Sequence, residues 1–129
     1  MISGDVMTLR TRFVTEWQNG VATVFDNQPN EQLSDDQPFV RFSVRPGVET
    51  RASFSSDVQL GRVIVSVFVP RQQGAKPAYD LADEAAAIFR QWRSPDYQLH
   101  CTSPEISTDD SDPQWFRVDV NTPWRSYRA

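Results

Sequence analysis

The stretch FVRFSVRPGVETRASFSSDVQLGRVIVSVFV, residues 39–69, decides the fold that we predict for this chain. Its first seven residues alternate, with Val40, Phe42 and Val44 on one side and two arginines and a serine on the other. Alternation with a period of two is the signature of a strand with one buried side and one solvent-facing side. The stretch therefore predicts a sheet whose outer face carries arginine.

Two turns divide this stretch into three predicted strands. Pro46-Gly47 has the residue types of a type II turn, because proline presets φ at one central position and glycine accepts a positive φ at the next. Ser55-Ser56-Asp57 predicts a second turn. We therefore expect an antiparallel meander of strands at 39–45, 48–55 and 58–69.

Two helices flank the meander. Apolar residues from Val6 to Trp17 recur at spacings of three and four, which predicts a helix that begins at Ser3 and ends at Asn19-Gly20. Pro77 suits the first turn of a second helix, and Pro95 ends it. The apolar side of this second helix comprises Leu81, Ala85, Ile88, Phe89 and Trp92.

The whole chain, residues 1–129, is predicted to be a single domain. Shorter strands at 21–25, 97–102 and 115–122 complete the order α-β-β-β-β-α-β-β. Two helices cannot cover both faces of a five- to six-stranded sheet. We therefore expect an α+β fold in which both helices pack on one face of a mixed, mostly antiparallel sheet.

The uncovered face of this sheet is predicted to display arginine among large apolar side chains. It carries Arg41, Arg45, Arg51, Arg62 and Arg117 among Phe39, Ile64, Phe68 and Trp115. Arginine and aromatic residues are enriched in the cores of protein interfaces. The alternative is that these strands have mixed faces, with the aromatic rings under loops.

Charge is unevenly distributed along the chain, whose net charge is −4. The segments Asp26 to Gln37 and Glu105 to Asp112 are acidic, whereas the strands of the meander are rich in arginine. Lys76 is the only lysine among 13 basic residues, which fits an interface but also fits a GC-rich genome. Separated patches of opposite charge permit head-to-tail association between copies.

Composition excludes several classes of protein. The net negative charge argues against a globally basic nucleic-acid binder. The sequence contains no apolar run of about 20 residues, so we expect no membrane partner. Cys101 is the only cysteine, so neither an intrachain disulfide nor a cysteine-rich zinc site is possible.

Candidate catalytic groups are few. His100 and Cys101 could pair, with Asp109 or Asp110 as orienter, but neighbouring residues of a strand point to opposite faces. The acidic run 109–112 lacks the glycine and closing glutamate of a calcium loop. Gly74 and Lys76 lack the rest of a phosphate-binding loop. We therefore expect no enzyme, cofactor or metal.

An ordered set of motifs resembles one protein family. Val67-Phe68-Val69-Pro70 precedes a glycine-containing loop and the helix Ala82-Asp83-Glu84-Ala85-Ala86-Ala87-Ile88-Phe89. Phe39 to Val44 with Pro46-Gly47 stands upstream, and Trp115 to Val120 with Pro123-Trp124 stands downstream. Over nearly the whole chain, this set resembles the tail terminator proteins of long-tailed bacteriophages, the class that includes the lambda-type minor tail protein U.

The resemblance implies a structural virion protein without catalytic activity. Such proteins form a hexameric ring on the head-proximal end of the tail tube, stop its growth and offer a surface to the head-side connector. The chain would then be assembled in the bacterial cytoplasm, and DNA would pass through the ring without sequence readout. The expected contacts with a neighbouring subunit or the tube are Arg41, Arg45, Arg51, Arg62, Phe68, Arg71, Lys76 and Arg117.

Two other functions stay open at this stage. The nearer is another neck component, such as a head–tail joining or tail completion protein. The more distant is a monomeric ligand-binding or enzymatic α+β domain. Stoichiometry and binding to tube ends would separate the first from a terminator, and a strictly monomeric protein with a deep apolar pocket would favour the second.

Overall fold

The computed structural model describes residues 2–26, 36–51, 53 and 56–128. In chain order the elements are α1 (Ile2–Glu16), β1 (Ala22–Phe25), β2 (Phe39–Arg51), β3 (Asp57–Pro70), a short 3-10 helix (Arg71–Gln73), α2 (Lys76–Phe89), β4 (Leu99–Cys101), β5 (Glu105–Asp109) and β6 (Trp115–Arg128). The strands form one six-stranded sheet in the order β1-β2-β3-β6, with β4 and β5 both paired to β6.

The sheet is mixed but mostly antiparallel. β1 runs parallel to β2, whereas every other pairing in the sheet is antiparallel. β3 lies at the centre and pairs along its whole length with β6, from Asp57 opposite Arg128 to Pro70 opposite Trp115. This central strand therefore fixes which residues of its neighbours share a face.

Both helices pack on the same face of the sheet, which confirms the predicted fold class. Leu9 and Phe13 of α1 and Ala85 and Phe89 of α2 are 0–1% exposed within one core cluster. The small alanines of α2 let the helix approach the β-branched side chains of β3 and β6 closely. The other face of the sheet is left without helices in the described part of the chain.

The first correction concerns Pro46-Gly47, where the predicted turn does not form. The two strands predicted at 39–45 and 48–55 are one strand, β2, which continues to Arg51 opposite β3. A β-bulge between Pro46 and Glu49 accommodates the proline and the glycine within the strand. The extra residue of a bulge does not take part in the regular hydrogen bonding between strands, so a proline, which has no N–H to donate, is tolerated there. The Gln59 side chain stabilises it by donating to the Gly47 carbonyl at 2.8 Å.

The second correction concerns the acidic segment predicted as a loop at 103–114. Glu105–Asp109 forms β5, which pairs antiparallel with β6 and places Asp109 opposite Arg117. The pairing with a long neighbouring strand outweighs the weak strand propensity of these residues. The element order is therefore α-β-β-β-α-β-β-β, rather than four strands before the second helix and two after it.

Smaller differences concern element ends. α1 already includes Ile2 and Ser3, so Ser3 is not its N-cap, and the helix ends at Glu16 before Gly20 at φ 79°. β6 continues past the predicted end at Thr122 to Arg128. Of the acidic segment Asp26 to Gln37, residues 27–35 lie outside the described residues.

Candidate interaction surface

An aromatic cluster lies on the uncovered face of the sheet, where β2, β3 and β6 meet. The rings of Phe39 and Phe68 stack with centroids 4.6 Å apart and an interplanar angle of 10°. The Trp115 ring meets Phe39 edge-on at 5.1 Å. All three side chains are only half-buried, because no helix covers this face in the described residues. Part of each ring is therefore exposed to solvent on this face.

Two arginines flank this cluster. The guanidinium carbons of Arg41 and Arg117 lie 5.7 and 5.3 Å from the centroid of the Phe68 ring, within cation–π range. Arg117 also donates to Asp119 at 2.9 Å, which holds its side chain over the sheet. We call Phe39, Phe68, Trp115, Arg41 and Arg117 the Arg–aromatic patch.

Arg45 and Arg62 extend the positive charge along the same face. The two residues stand directly opposite each other in the β2–β3 register. Cross-strand neighbours of like charge destabilise a sheet. Arg45 lies 3.6 Å from a carboxylate oxygen of Asp26, and Arg62 donates to the side chain of Asn121 at 3.1 Å. The side chain of Arg45 is nevertheless 62% exposed, so its charge can face a partner.

The other end of the same face is acidic. In the β5–β6 register Glu105, Ser107 and Asp109 stand opposite Asn121, Asp119 and Arg117, on the side of the sheet that bears the Arg–aromatic patch. Hydrogen bonds from Ser111 to the Asp109 carboxylate lower the pKa of that group, which keeps it ionised. The face therefore changes from basic at β2 to acidic at β5.

The structure brings together five of the eight predicted contact residues. Arg41, Arg45, Arg62, Phe68 and Arg117 share the uncovered face. Arg51 does not lie on this face. It stands opposite Asp57, whose place in the alternation of β3 puts it on the helix-covered side. The bulge in β2 is the physical reason, because one extra residue shifts every later side chain to the other face.

The two remaining predicted contacts are engaged elsewhere. Arg71 donates to the backbone carbonyls of Asp110 and Asp112 and so fastens the turn between β5 and β6. Lys76 forms a salt bridge with Asp80 one helical turn away at 2.9 Å, and this contact raises the pKa of the lysine. Both side chains are exposed, but neither lies among the patch residues just described.

Sequence reasoning missed the acidic end of the face, because β5 was predicted as a loop. The available signal was the alternation of Glu105, Ser107 and Asp109 with Ile106 and Thr108. The link from Ser43 and Arg45 to Asp26, at 3.0 and 3.6 Å, had no sequence signal because it joins strands 17 or more residues apart.

His100 and Cys101 lie on opposite sides of the sheet, as strand alternation predicts. His100 stands opposite Arg125 and Cys101 stands opposite Trp124, which is buried on the helix side. Burial raises the pKa of the Cys101 thiol to about 12. The thiol is therefore protonated and shielded at neutral pH, and the histidine ring does not face it.

Three further features of the described residues concern metal binding, membrane crossing and ligand binding. Among the described residues, no group of three or more His, Cys, Asp or Glu side chains is placed to hold a metal ion. Neither described helix has the length and apolar character that a bilayer crossing requires. A groove of ≈ 410 Å³ lies between α1 and Trp92, where Arg12 and Glu16 already pair with each other at 2.9 Å.

Comparisons with known proteins support the fold. The chain superposes on a solved structure with a TM-score of 0.66 and 16% sequence identity, over 92% of this chain and 92% of the other. At this identity the likeness concerns the fold alone, and the name of that protein describes no function. No protein-family model matches the chain, and no curated protein matches it in sequence.

Proposed function

We propose that this chain is a structural virion protein that caps the bacteriophage tail tube as a ring. In this role it ends tube polymerisation and provides the surface that joins tail to head. The observation that carries the proposal is the Arg–aromatic patch on a sheet face that the helices leave uncovered. The ordered motifs that resemble tail terminators support the same function.

The composition of the patch suits a protein partner. Half-buried aromatic rings supply apolar area at low entropic cost, and the exposed Arg41 beside the Phe68 ring keeps its charge available. A monomeric domain has no need to keep Arg45 opposite Arg62, since that pairing costs stability. A partner with acidic groups would offset the repulsion and gain specificity from it.

The pattern of charge on the face suits a ring. A head-to-tail contact uses two different surfaces of one chain, and it closes into a ring when the rotation between copies permits. Here the basic β2 end and the acidic β5 end lie at opposite sides of the same sheet. Arginines that faced the lumen of such a ring would tolerate passing DNA through weak contacts with phosphate.

Charge reversal on the open face tests this proposal. Arg45→Glu and Arg62→Glu should each lower binding to tail tube ends by about tenfold or more, because each replaces an exposed cation with an anion at the contact. Binding is measured by co-sedimentation of the protein with tubes of the phage that encodes it. Both variants should fold normally, because both side chains are exposed.

Arg90→Glu is the matched control, because Arg90 is exposed at the end of α2 and belongs to the helix layer. It should bind tubes as the unchanged protein does. Full tube binding by both Arg45→Glu and Arg62→Glu would remove the open face from the contact. Binding of the unchanged protein to the head-side connector but not to tube ends would favour another neck component.

A further inference from the structure

The two outer strands of the sheet have edges that no described strand occupies. β1 is the last strand on one side and β5 is the outer strand beside the first half of β6. An unpaired edge exposes a row of backbone N–H and C=O groups that can pair with another strand. Proteins protect such edges by keeping the strands short, by placing proline or charge on them, or by covering them with a helix or loop.

Both edge strands are short, but neither carries proline or a charge in mid-strand. β1 has the sequence ATVF and β5 has the sequence EISTD, with its charges at the two ends and an exposed Ile106 between them. The two strands also match in length, with four and five residues. Each is therefore a suitable partner for the other in a second copy of the chain.

We propose that copies of this chain join head to tail by pairing β5 of one copy with β1 of the next, which extends one sheet across the contact. This inference deepens the proposed function and rests on its ring, because it names the surfaces that close it. It leaves the Arg–aromatic patch free for the tube.

Strand direction supports the pairing. β1 runs parallel to β2, and each step from β2 through β3 and β6 to β5 reverses direction. β5 therefore runs opposite to β1. When two copies stand side by side with the same face forward, the β5 of one meets the β1 of the other in antiparallel orientation. That is the orientation in which strands pair most readily.

Matching of faces selects one register. Ala22 and Val24 lie on the open face, because they stand opposite Phe39 and Arg41 of β2, which lie on that face. On β5 the open-face residues are Glu105, Ser107 and Asp109. Placing Val24 opposite Ser107 keeps the faces matched and pairs all four residues of β1, whereas shifts by two residues in either direction pair fewer.

Packing on the helix side supports the same register. It places the exposed Ile106 opposite Phe25, on the side of the sheet that α1 covers. A groove of ≈ 400 Å³ lies there between α1 and β1, lined by the apolar Phe13, Trp17, Val21 and Phe25 and by the polar Gln18 and Thr23 among others. The isoleucine of one copy thus meets the apolar side chains of this groove in the next copy, which adds hydrophobic burial to the backbone pairing.

The charges at the two edges are also complementary. β5 carries Glu105 and Asp109, with Asp110 following. Beside β1 lies Arg10, whose guanidinium carbon is 4.1 Å from the centroid of the Phe25 ring. The acid at the end of β1, Asp26, is already within 3.6 Å of Arg45.

Cysteine cross-linking tests the register and the face. The double variant Val24→Cys/Ser107→Cys should form disulfides between copies on mild oxidation and give a ladder that ends at the ring. A mixture of the two single variants should stop at a covalent dimer. Thr23→Cys/Ser107→Cys is the matched control, because its thiols lie on opposite faces of the joined sheet, and it should cross-link at least about tenfold less. Cys101 can stay in place, because it is buried.

A second variant tests the apolar contact without cysteines. Ile106→Lys should weaken self-association by about tenfold or more, because it places a charge in the apolar groove. Val48→Lys is its control, since Val48 is 69% exposed on β2 beyond the residues that pair with β1, and it should leave association unchanged. Circular dichroism would establish that both variants fold.

The outcomes separate this inference from the proposed function. A hexamer that forms while Val24→Cys/Ser107→Cys cross-links no better than its control would overturn the edge pairing and leave the ring standing. Absence of cross-linking at every protein concentration would likewise overturn it. Specific cross-linking by a protein that never binds tube ends would leave the edge pairing standing and contradict the tail function.

Discussion

The two faces of β3 differ in composition and in burial, although their side chains alternate along one strand and Ser66 of the open face is buried too. Val63, Val65, Val67 and Val69 point towards the helices and are 0–1% exposed. Arg62, Ile64 and Phe68 point to the open face, and none of them is fully buried. The covered face has the composition that packing requires, whereas the open face keeps groups that packing does not require. Function is therefore to be sought on the open face.

The largest expected difference comes from the same substitution on the two faces. Phe13, 1% exposed and stacked on Phe42 at 4.9 Å, belongs to the covered side. Phe13→Ala should lower the free energy of unfolding by about 3–5 kcal/mol, because it leaves a cavity in the core. Phe39→Ala should cost only about 1–2 kcal/mol, because Phe39 is half-buried.

Urea denaturation measures both changes. Tube binding should show the opposite order, with Phe39→Ala more damaging than its small effect on stability suggests. Equal losses of stability at the two positions would contradict the distinction between a packed face and a binding face.

A smaller effect on stability is expected at Gly61, where the packing of the covered face leaves no room for a side chain. A Cβ added to Gly61 would overlap the indole of Trp124, which is 2% exposed, and would stand 3.0 Å from the Arg45 carbonyl oxygen. Gly61→Ala should therefore destabilise the protein by about 1–3 kcal/mol in thermal or urea unfolding. Since Gly61 has no exceptional φ, the cause is overpacking rather than backbone strain.

Gly4→Ala is the control for this experiment. Gly4 lies in α1, and a Cβ there would meet nothing within 4 Å. This substitution should leave stability unchanged or raise it by up to about 1 kcal/mol, because alanine favours the helix. A Gly61→Ala variant as stable as Gly4→Ala would show that the contact of Trp124 with β3 is looser than described.

The smallest expected effect concerns pH and the buried thiol. The pKa of Cys101 is raised from 9.0 to about 12 in the folded chain. The unfolded chain therefore releases this proton first, and the free energy of unfolding falls as the pH rises above about 9. At pH 10 the loss due to this one group is about 1.4 kcal/mol.

Comparison of the unchanged protein with Cys101→Ala isolates this contribution. Both proteins lose stability as other groups titrate, but between pH 8 and pH 10 the variant should lose about 1.4 kcal/mol less. Identical pH dependence would mean that the thiol reaches solvent. A protected thiol would also fail to react with a disulfide reagent at pH 8 until the protein unfolds.

The covered face could be predicted well from the sequence, and the open face only in part. The alternation of Val40 and Phe42 in β2 and the spacing of Leu9 and Phe13 in α1 reflect local periodicity, which a sequence displays directly. Patterns of this kind predicted both helices and the strands that carry most of the arginines, whereas the common side of the helices was predicted from their number.

What could not be predicted depends on register and on distant neighbours. Pro46-Gly47 has the residue types of a turn, yet β2 pairs with β3 on both sides of it, and the two residues form part of a bulge. Because the bulge adds one residue, Arg51 lies on the other face. The acidic β5 shows only a short alternation around Ile106 and Thr108, and it forms a strand because β6 extends beside it. A single sequence does not display such long-range choices.

Growth of tail tubes in the presence of this protein, followed by electron microscopy, is the decisive experiment. If the chain caps tail tubes, elongation stops and a ring of six copies stands on one tube end. Tubes that elongate at an unchanged rate with no protein at either end would contradict this role.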